Sequence, residues 1–385
     1  MSTREDAAAA IRDAEAQLLD LSRFVHAHPE LGYQEHESAE AVASLAERFG
    51  FTVERGAAGL PTAFRARFGS GRLHVALCAE YDALPAVGHA CGHNIIAAAS
   101  LGAAVGLARV ADELDLTVDL LGTPSEEGGG GKIDLLEAGY FDGVDFAMMV
   151  HPWPEDRLDA ACLAVDHLEV TYHGREAHAS AAPWEGINAV DALTIAQVAL
   201  GLLRQQLPPG DQVHGFVVEG GSAANIIPAR AVAQFMCRSV TAERLDALRD
   251  RVDACLRAGA LATGATLDVR TLGHRFSHMA SDLEILAHYR RAAESQGRAF
   301  ALDDAGAPRP TLSTDMANVS LAVPAIHPLI GIETRGAVNH QPEFAAACLG
   351  PDAEQAVLDG AISLALTAIA VAGDAPLRQR LEETS

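Results

Sequence analysis

Apolar positions recur at helical spacing over residues 5–26, at Ile11, Ala14, Leu18, Leu21 and Val25, and predict one amphipathic helix. The run "RLHVALCAEYD" is short and apolar and ends in acids, as a buried strand does when polar residues follow its C-terminal end. "NIIAAASLGAAVGLARVADEL" is rich in alanine and long enough for a buried helix. "LTVDLLGTPSEEGGGG" reads as a strand and a loop, and "LLEAGYFDGVDFAMMVHPWP" as a helix, a turn, a strand and a loop. This alternation over residues 72–154 predicts an α/β domain with a mixed, mostly parallel sheet sandwiched by helices. Ligands of such sheets sit at the carboxyl ends of the strands. Asp82, the pair Glu126/Glu127, and His151 each follow a predicted strand end.

The pattern changes over residues 163–273. Strand-like runs ("CLAVDHLEVTYHG", "VHGFVVEGG", "RAVAQFMCRSV") alternate with two helical stretches, "INAVDALTIAQVALGLLRQQL" and "AERLDALRDRVDACLRAGALATG". The order β-α-β-β-α-β predicts a ferredoxin-like α+β insert. A helical segment resumes near Arg275 and the last predicted helix is "AEQAVLDGAISLALTAIAVAG". The expected division is therefore 1–163 and 275–385 as the two parts of one domain, with 164–274 inserted between them.

Composition narrows the partners. The 385 residues suit two domains. Lys and Arg total 28 against 52 Asp and Glu, a formal charge of −24. Nucleic acid and anionic membranes would be repelled by such a surface, so neither is expected. Glu5, Asp6 and Asp13 interrupt the first apolar stretch, so no signal peptide is expected, and no window is expected to reach the length of a membrane span. The cysteines are scattered without a CxxC pair, which suggests free thiols and a cytoplasmic protein.

The chemistry concentrates in a few motifs. Cys91-Gly92-His93, with His89 beside it, offers thiolate and imidazole, donors suited to Zn²⁺, and Gly92 allows a tight fold between them. A lone cysteine would more simply be core packing. Glu126-Glu127 could be a solvated acidic turn. Alternatively, one carboxylate could hold a metal while the other faces a substrate as a base. "GGGGKI" is not a phosphate-binding loop, because Glu126 occupies the first required glycine and Ile133 replaces the Ser/Thr. A helical HExxH zinc motif is absent. His151, His178, Asn225 and His340 would each be unremarkable alone. A thiol hydrolase built on Cys91 is a competing reading, but it leaves Glu126 and Glu127 without a task.

Taken together, "HPELGYQEHES", "EYDALPAVGHACGHN", "GTPSEEGGGGKIDLLEAGYFDGVD", "MMVHPWP", "GREAHASAAPWEGINAVDA", "GGSAANIIPARA", "STDMANVSLAVPAIHP" and "NHQPEF" resemble the M20 family of metallopeptidases and amidohydrolases. The finer likeness is to the M20 domain-containing protein 2 group and the aminobenzoyl-glutamate hydrolases. The resemblance implies a zinc-peptidase-like catalytic domain with an inserted lid and dimerisation domain, and a homodimer formed through it. It implies a two-metal amidase acting on a dipeptide or N-acyl amino acid. Zn²⁺ is the first choice of cation, and Mn²⁺ or Co²⁺ are also suited. Cys91, His93, Glu127, His151 and His340 would be ligands, Cys91 replacing the bridging Asp of other branches. Glu126 would be the general base, activating a water between the cations, and Asp82 would orient a ligand histidine. His178 and Asn225 would hold the substrate carbonyl or carboxylate, His178 reaching the partner's site in dimeric members. Glu80 departs from the pattern, standing where many relatives carry a histidine ligand, and Asn94 replaces an Asp of another branch. A non-catalytic binding protein of the same family is the remaining alternative.

Overall fold

The computed structural model describes residues 2–300 and 311–384. The chain divides into two compact units, Met1–Ala161 with Met279–Ser385, and Cys162–His278.

The first unit opens with α1 (Thr3–Asp13), started by a reciprocal Ser2/Glu5 cap, and α2 (Glu15–Ala27). The single helix expected here is two. Ala14 ends one and begins the next with φ −89° and ψ −3°, close enough to helical that the apolar stripe continues across the break. Ile11, Ala14, Leu18, Leu21 and Val25 are all buried. There follow α3 (His36–Arg48), β1 (Thr52–Arg55), β2 (Phe64–Gly69), β3 (Leu73–Ala79), α4 (His93–Ala108), β4 (Leu116–Gly122), α5 (Gly131–Glu137), β5 (Phe146–Met148) and β6 (His151–Trp153). The loop expected after "AMMV" thus contains a short strand.

The second unit carries β7 (Ala164–His173), α6 (Ala189–Arg204), β8 (Gln212–Glu219), β9 (Arg230–Ser239), α7 (Ala242–Thr263) and β10 (Thr266–Thr271). The first unit then resumes with α8 (Leu283–Glu294), α9 (Met316–Ala322), β11 (Ala325–Ile326), β12 (Leu329–Gly331), α10 (Pro342–Ala347), α11 (Pro351–Gly373) and α12 (Ala375–Glu382).

In the first unit the main sheet has the order β1-β2-β4-β3-β5-β11. Strands β4, β3, β5 and β11 run parallel, and β2 and β1 add an antiparallel edge. Parallel strands buried on both faces read as unbroken apolar runs, which is why β3 and β4 are legible. Helix α4 is buried from His93 to Leu107. Its small residues let α11 approach closely: a Cβ on Gly102 would lie 2.8 Å from Ala361 Cβ. Contrary to expectation, one helix among the described residues is long and apolar enough to cross a membrane, the 23-residue α11. Its apolar window is 78% buried inside the protein, so the core accounts for that composition.

In the second unit the sheet order is β10-β7-β9-β8 and every pairing is antiparallel. With α6 and α7 between the strands, this is the ferredoxin-like arrangement that the alternation predicts. Leu193, Ala196 and Leu200 of α6 pack with Leu245, Leu248, Val252 and Leu256 of α7 over Leu168, Val170 and Tyr172 of β7. Strand β8 is an edge, and it exposes Phe216, Val217 and Val218. Helix α6 exposes Val198 and Leu202.

Candidate active site

Because β3, β4, β5 and β11 are parallel, their carboxyl ends lie along one edge of the sheet. Each strand delivers polar residues there as it ends. Glu80 and Asp82 follow β3, Glu126 and Glu127 lie in the loop after β4, His151 follows β5, and His327 follows β11. Cys91 and His93 come from the turn into α4, and His340 from the loop before α10. Gly92 caps α4 with φ +77°, a conformation costly for other residues. A Cβ there would meet Pro152 Cγ at 2.5 Å and Cys348 Sγ at 3.0 Å, so the Cys-Gly-His turn has no room for a side chain. Ser125 and His340, beside and within the cluster, also hold positive φ of 57° and 71°. Strained backbone of this kind persists where the surroundings fix it, as at functional sites.

The potential ligand atoms of Cys91, His93 and His151 all lie within 4.8 Å of one another. So do those of Cys91, Glu127 and His340, and those of Glu80, His93 and Glu126. Cys91 is common to the first two groups. His340 Nε2 is 3.6 Å from Glu127 Oε2.

Hydrogen bonds orient these donors. Asp82 uses both oxygens: Oδ1 is 2.9 Å from His93 Nδ1, and Oδ2 accepts from the Glu127 backbone N–H at 3.0 Å. His151 Nδ1 lies 2.8 Å from the Pro152 carbonyl, which can only accept. Both rings therefore carry the proton on Nδ1 and turn Nε2 into the cluster, the arrangement usual for metal-ligating histidine. His93 Nε2 and Glu127 Oε1 are buried without a hydrogen bond of ordinary geometry, and the Cys91 thiol lies against both residues. Buried polar atoms left bare are costly and rare, so this cluster calls for a partner that the chain itself does not provide. One thiolate, imidazoles and carboxylates form a donor set that fits divalent transition metals.

The electrostatics agree in part: burial would lower the His93 ring, but Asp82, Cys91 and Glu80 outweigh it and raise the ring well above its usual range, so a cation there would displace a proton. Burial pushes His151 down to about 3 and His327 to about 4, so both are neutral at pH 7. Burial also raises the Cys91 thiol well above its usual range, which disfavours a free thiolate nucleophile. Glu126 is raised well above the ordinary carboxylate range, first by burial and then by Glu80, Glu127 and Asp315. Glu127 is also raised by burial.

Two residues expected near a substrate, His178 and Asn225, lie in the second unit and are exposed. They sit on adjacent loops, the Ala179 N–H donating to the Asn225 carbonyl at 3.0 Å. His178 Nδ1 accepts from the backbone N–H groups of Ser180 and Ala181, at 3.3 and 3.2 Å. An N–H can only donate, so these bonds leave Nε2 as the ring's donor nitrogen.

Sequence reasoning gives no role to Lys132, Asp315 or His327 of the first unit. Lys132 is fully buried between Glu80 and Asp315. Their charges hold it protonated against the effect of burial. His327 is buried with both ring nitrogens bare, its ring 5.6 Å from that of His151. The strand-end rule that finds His151 finds His327 once Ala325–Ile326 is known to be a strand. Asn94 also gains an account: its amide donates to Ser22 Oγ at 2.8 Å and to the Cys348 carbonyl at 3.1 Å. An aspartate there could not bond the Cys348 carbonyl, and could meet Ser22 only by accepting from its hydroxyl.

Residues 165–263 match the family model of a peptidase dimerisation domain. The Xaa-Arg dipeptidase of Mus musculus is 39% identical over 384 residues, covering 95% of this chain and 88% of that protein. One of the p-aminobenzoyl-glutamate hydrolase chains of Escherichia coli (strain K12) is 32% identical over 272 residues, 65% of this chain and 56% of that one. Among solved structures, the Bacillus subtilis YXEP protein, described as a dinuclear metal binding peptidase from the M20 family, superposes with a TM-score of 0.73. The match is at 23% identity and covers 94% of this chain and 99% of that one. An α/β domain with this cluster and a peptidase dimerisation insert defines the class, a hydrolytic enzyme of peptide and amide bonds. Within that class, the chain belongs to the M20 family of peptidases and amidohydrolases.

Proposed function

We propose that the chain is a metal-dependent dipeptidase that removes a basic C-terminal residue, with Glu126 as general base. The observation that carries this reading is the convergence of Cys91, His93, Glu127, His151 and His340 on shared positions, with His93 Nε2 and Glu127 Oε1 buried and bare. These five residues would hold two divalent cations. Cations bound there would acidify a water and polarise a carbonyl oxygen. Glu126, kept basic by burial and neighbouring carboxylates, takes the water's proton and returns it to the leaving amine. Asp82 holds His93 and the Glu127 backbone in register throughout. His178 Nε2–H is a donor for the substrate's carbonyl oxygen, and Asn225 an amide for its carboxylate. The basic specificity is suggested by the name of the 39% identical relative, Xaa-Arg dipeptidase, and suits a chain of formal charge −24.

We also propose a homodimer, formed by the exposed apolar residues of β8 and α6. The match of residues 165–263 to a peptidase dimerisation domain supports it.

The test is to strip the protein with a chelator and reload it with Zn²⁺, Mn²⁺ or Co²⁺ singly. Each form is then assayed on dipeptides that differ only in the C-terminal residue. Loss on stripping, recovery on loading, and preference for Arg or Lys are expected. Activity indifferent to the chelator and abolished by thiol alkylation would refute the metal reading in favour of a Cys91 nucleophile.

A further inference from the structure

One carboxylate at the strand ends has no part in the reading above. Glu80 Oε1 accepts from Lys132 Nζ at 2.5 Å, and Lys132 Nζ also reaches Asp315 Oδ1 at 2.6 Å. The Lys132 backbone N–H donates to Asp315 Oδ2 at 2.9 Å. All three side chains are 0% exposed. An ion pair of this kind explains one oxygen of Glu80 and leaves the other unexplained. Oε2 makes no hydrogen bond, and it lies 3.4 Å from His93 Nε2, which is bare as well. A buried carboxylate oxygen facing a buried ring nitrogen is a costly arrangement unless a further atom bonds both, a proton on Nε2 in the metal-free chain or a cation in its place.

The spacing indicates what that atom would be. Two donors held at about 2.0–2.1 Å by one tetrahedral cation stand about 3.4 Å apart. Glu80 is nearer to His93 Nε2 than either partner of the strand-end pair, Glu126 at 3.9 Å and Glu127 at 4.0 Å. The Nδ1 atom of His93 is committed to Asp82, so Nε2 has one lone pair and serves one cation.

We propose that Glu80 is a further metal ligand beyond the five named above, its free oxygen presented to the cation at His93 by the buried clamp of Lys132 and Asp315. The proposal rests on the metal-dependent reading. It turns an apparent departure from the family pattern into a substitution of one donor type for another, a carboxylate for an imidazole. Lys132 is then a positioning residue, because binding one oxygen fixes the direction of the other. A hard oxygen donor beside a soft thiolate should also widen the acceptable cations from Zn²⁺ toward Mn²⁺ and Co²⁺.

The test uses the full chain. Metal-free protein is titrated with Zn²⁺ against a chromophoric chelator, for the wild type and Glu80→Gln, which keeps an acceptor for Lys132. The variant should bind one of two ions about 10-fold more weakly or worse, with the other unchanged. Anomalous diffraction from Zn²⁺-loaded wild-type crystals should place a Glu80 oxygen within about 2.3 Å of an ion. A lower melting temperature of metal-free Glu80→Gln with both affinities intact would make Glu80 purely structural and overturn the proposal. So would an ion on His93 with Glu80 beyond about 3 Å, a distance outside any metal–oxygen bond. A wild type that binds no cation would overturn the metal reading together with this one, whereas two tight ions in both proteins would overturn this one alone.

Discussion

The two units leave opposite kinds of surface unsatisfied. The first keeps bare polar atoms inside: His93 Nε2, Glu80 Oε2 and Glu127 Oε1 are buried without a hydrogen bond of ordinary geometry. The second shows apolar side chains outside, with Phe216 59%, Val218 51%, Val198 60% and Leu202 66% exposed, beside the unpaired edge of β8. Each arrangement costs free energy in the isolated chain. Bare buried polar atoms cost about 1–3 kcal/mol each. An exposed apolar patch on a sheet edge invites association. The difference indicates what each unit lacks. A cation, charged and oxygen- or nitrogen-seeking, satisfies the first kind of want, and a second apolar surface satisfies the other. Metal binding and assembly are thus assigned to different units by the polarity of what is left over.

The sharpest way to break this comparison is at the base. Glu126→Gln preserves shape and removes the proton acceptor, so kcat should fall by about 10³-fold, within the usual range for a general base. Metal content by elemental analysis should not change, because Glu126 is not among the five donors. If turnover survives, the interior cluster serves binding rather than catalysis. A smaller effect is expected at the outer face. Phe216→Glu places a charge on the exposed edge strand, and in a two-fold dimer each substitution acts twice. The dimer dissociation constant should rise about 100-fold, near 3 kcal/mol, read by sedimentation over a concentration series. The fold of the unit should persist, since Phe216 is already largely exposed. An unchanged oligomeric state would remove the role given to this face.

How much of this is legible in the sequence depends on the length of each signal. The strands β3 and β4 are seven residues each and wholly buried, so their ends, and with them Asp82 and Glu126/Glu127, can be placed from apolar runs alone. His327 follows a strand of two residues, Ala325–Ile326, too short for any periodicity, and escapes notice although its ring lies 5.6 Å from that of His151. Lys132 stands out only as part of a possible phosphate loop, because nothing in a sequence marks a lysine as buried. Its burial follows from Glu80 and Asp315, residues 52 and 183 positions away. The break at Ala14 is hidden because the stripe of buried residues runs across it. Helix α11 is legible almost whole, from Ala353 to Gly373, and only its membrane-like length is underrated. Long-range pairing accounts for what is missed, and local pattern for what is found.

The smallest expected effect probes the cost of interior charge directly, at a carboxylate outside the donor cluster. Glu35 is buried and accepts from the Ser125 N–H at 2.8 Å, one residue before the Glu126/Glu127 pair. Burial, and then the charge of Asp82, push it up to about 7 from an ordinary 4.5. The folded state therefore holds a proton that the unfolded chain has released. That contribution to stability is complete below about pH 4.5 and is lost as pH rises through about 7. At about 1.4 kcal/mol per unit, the shift amounts to about 3 kcal/mol at pH 8. Glu35→Gln removes the titrating group and puts an amide near Asp82 in place of a second negative charge. About 1 kcal/mol of the wild-type contribution is already lost by pH 5, where the unfolded chain has begun to release the proton. The variant should match the wild type within error at pH 5 and exceed it by about 2 kcal/mol at pH 8, in denaturant unfolding of the metal-free protein. Glu126 and Glu127 shift in the same direction, so only the difference between the two proteins isolates Glu35. Parallel stability profiles from pH 5 to 8 would show that the interior beside the strand ends tolerates this charge without penalty, and the contrast between a strained inside and a strained outside would then reduce to the ligand cluster alone.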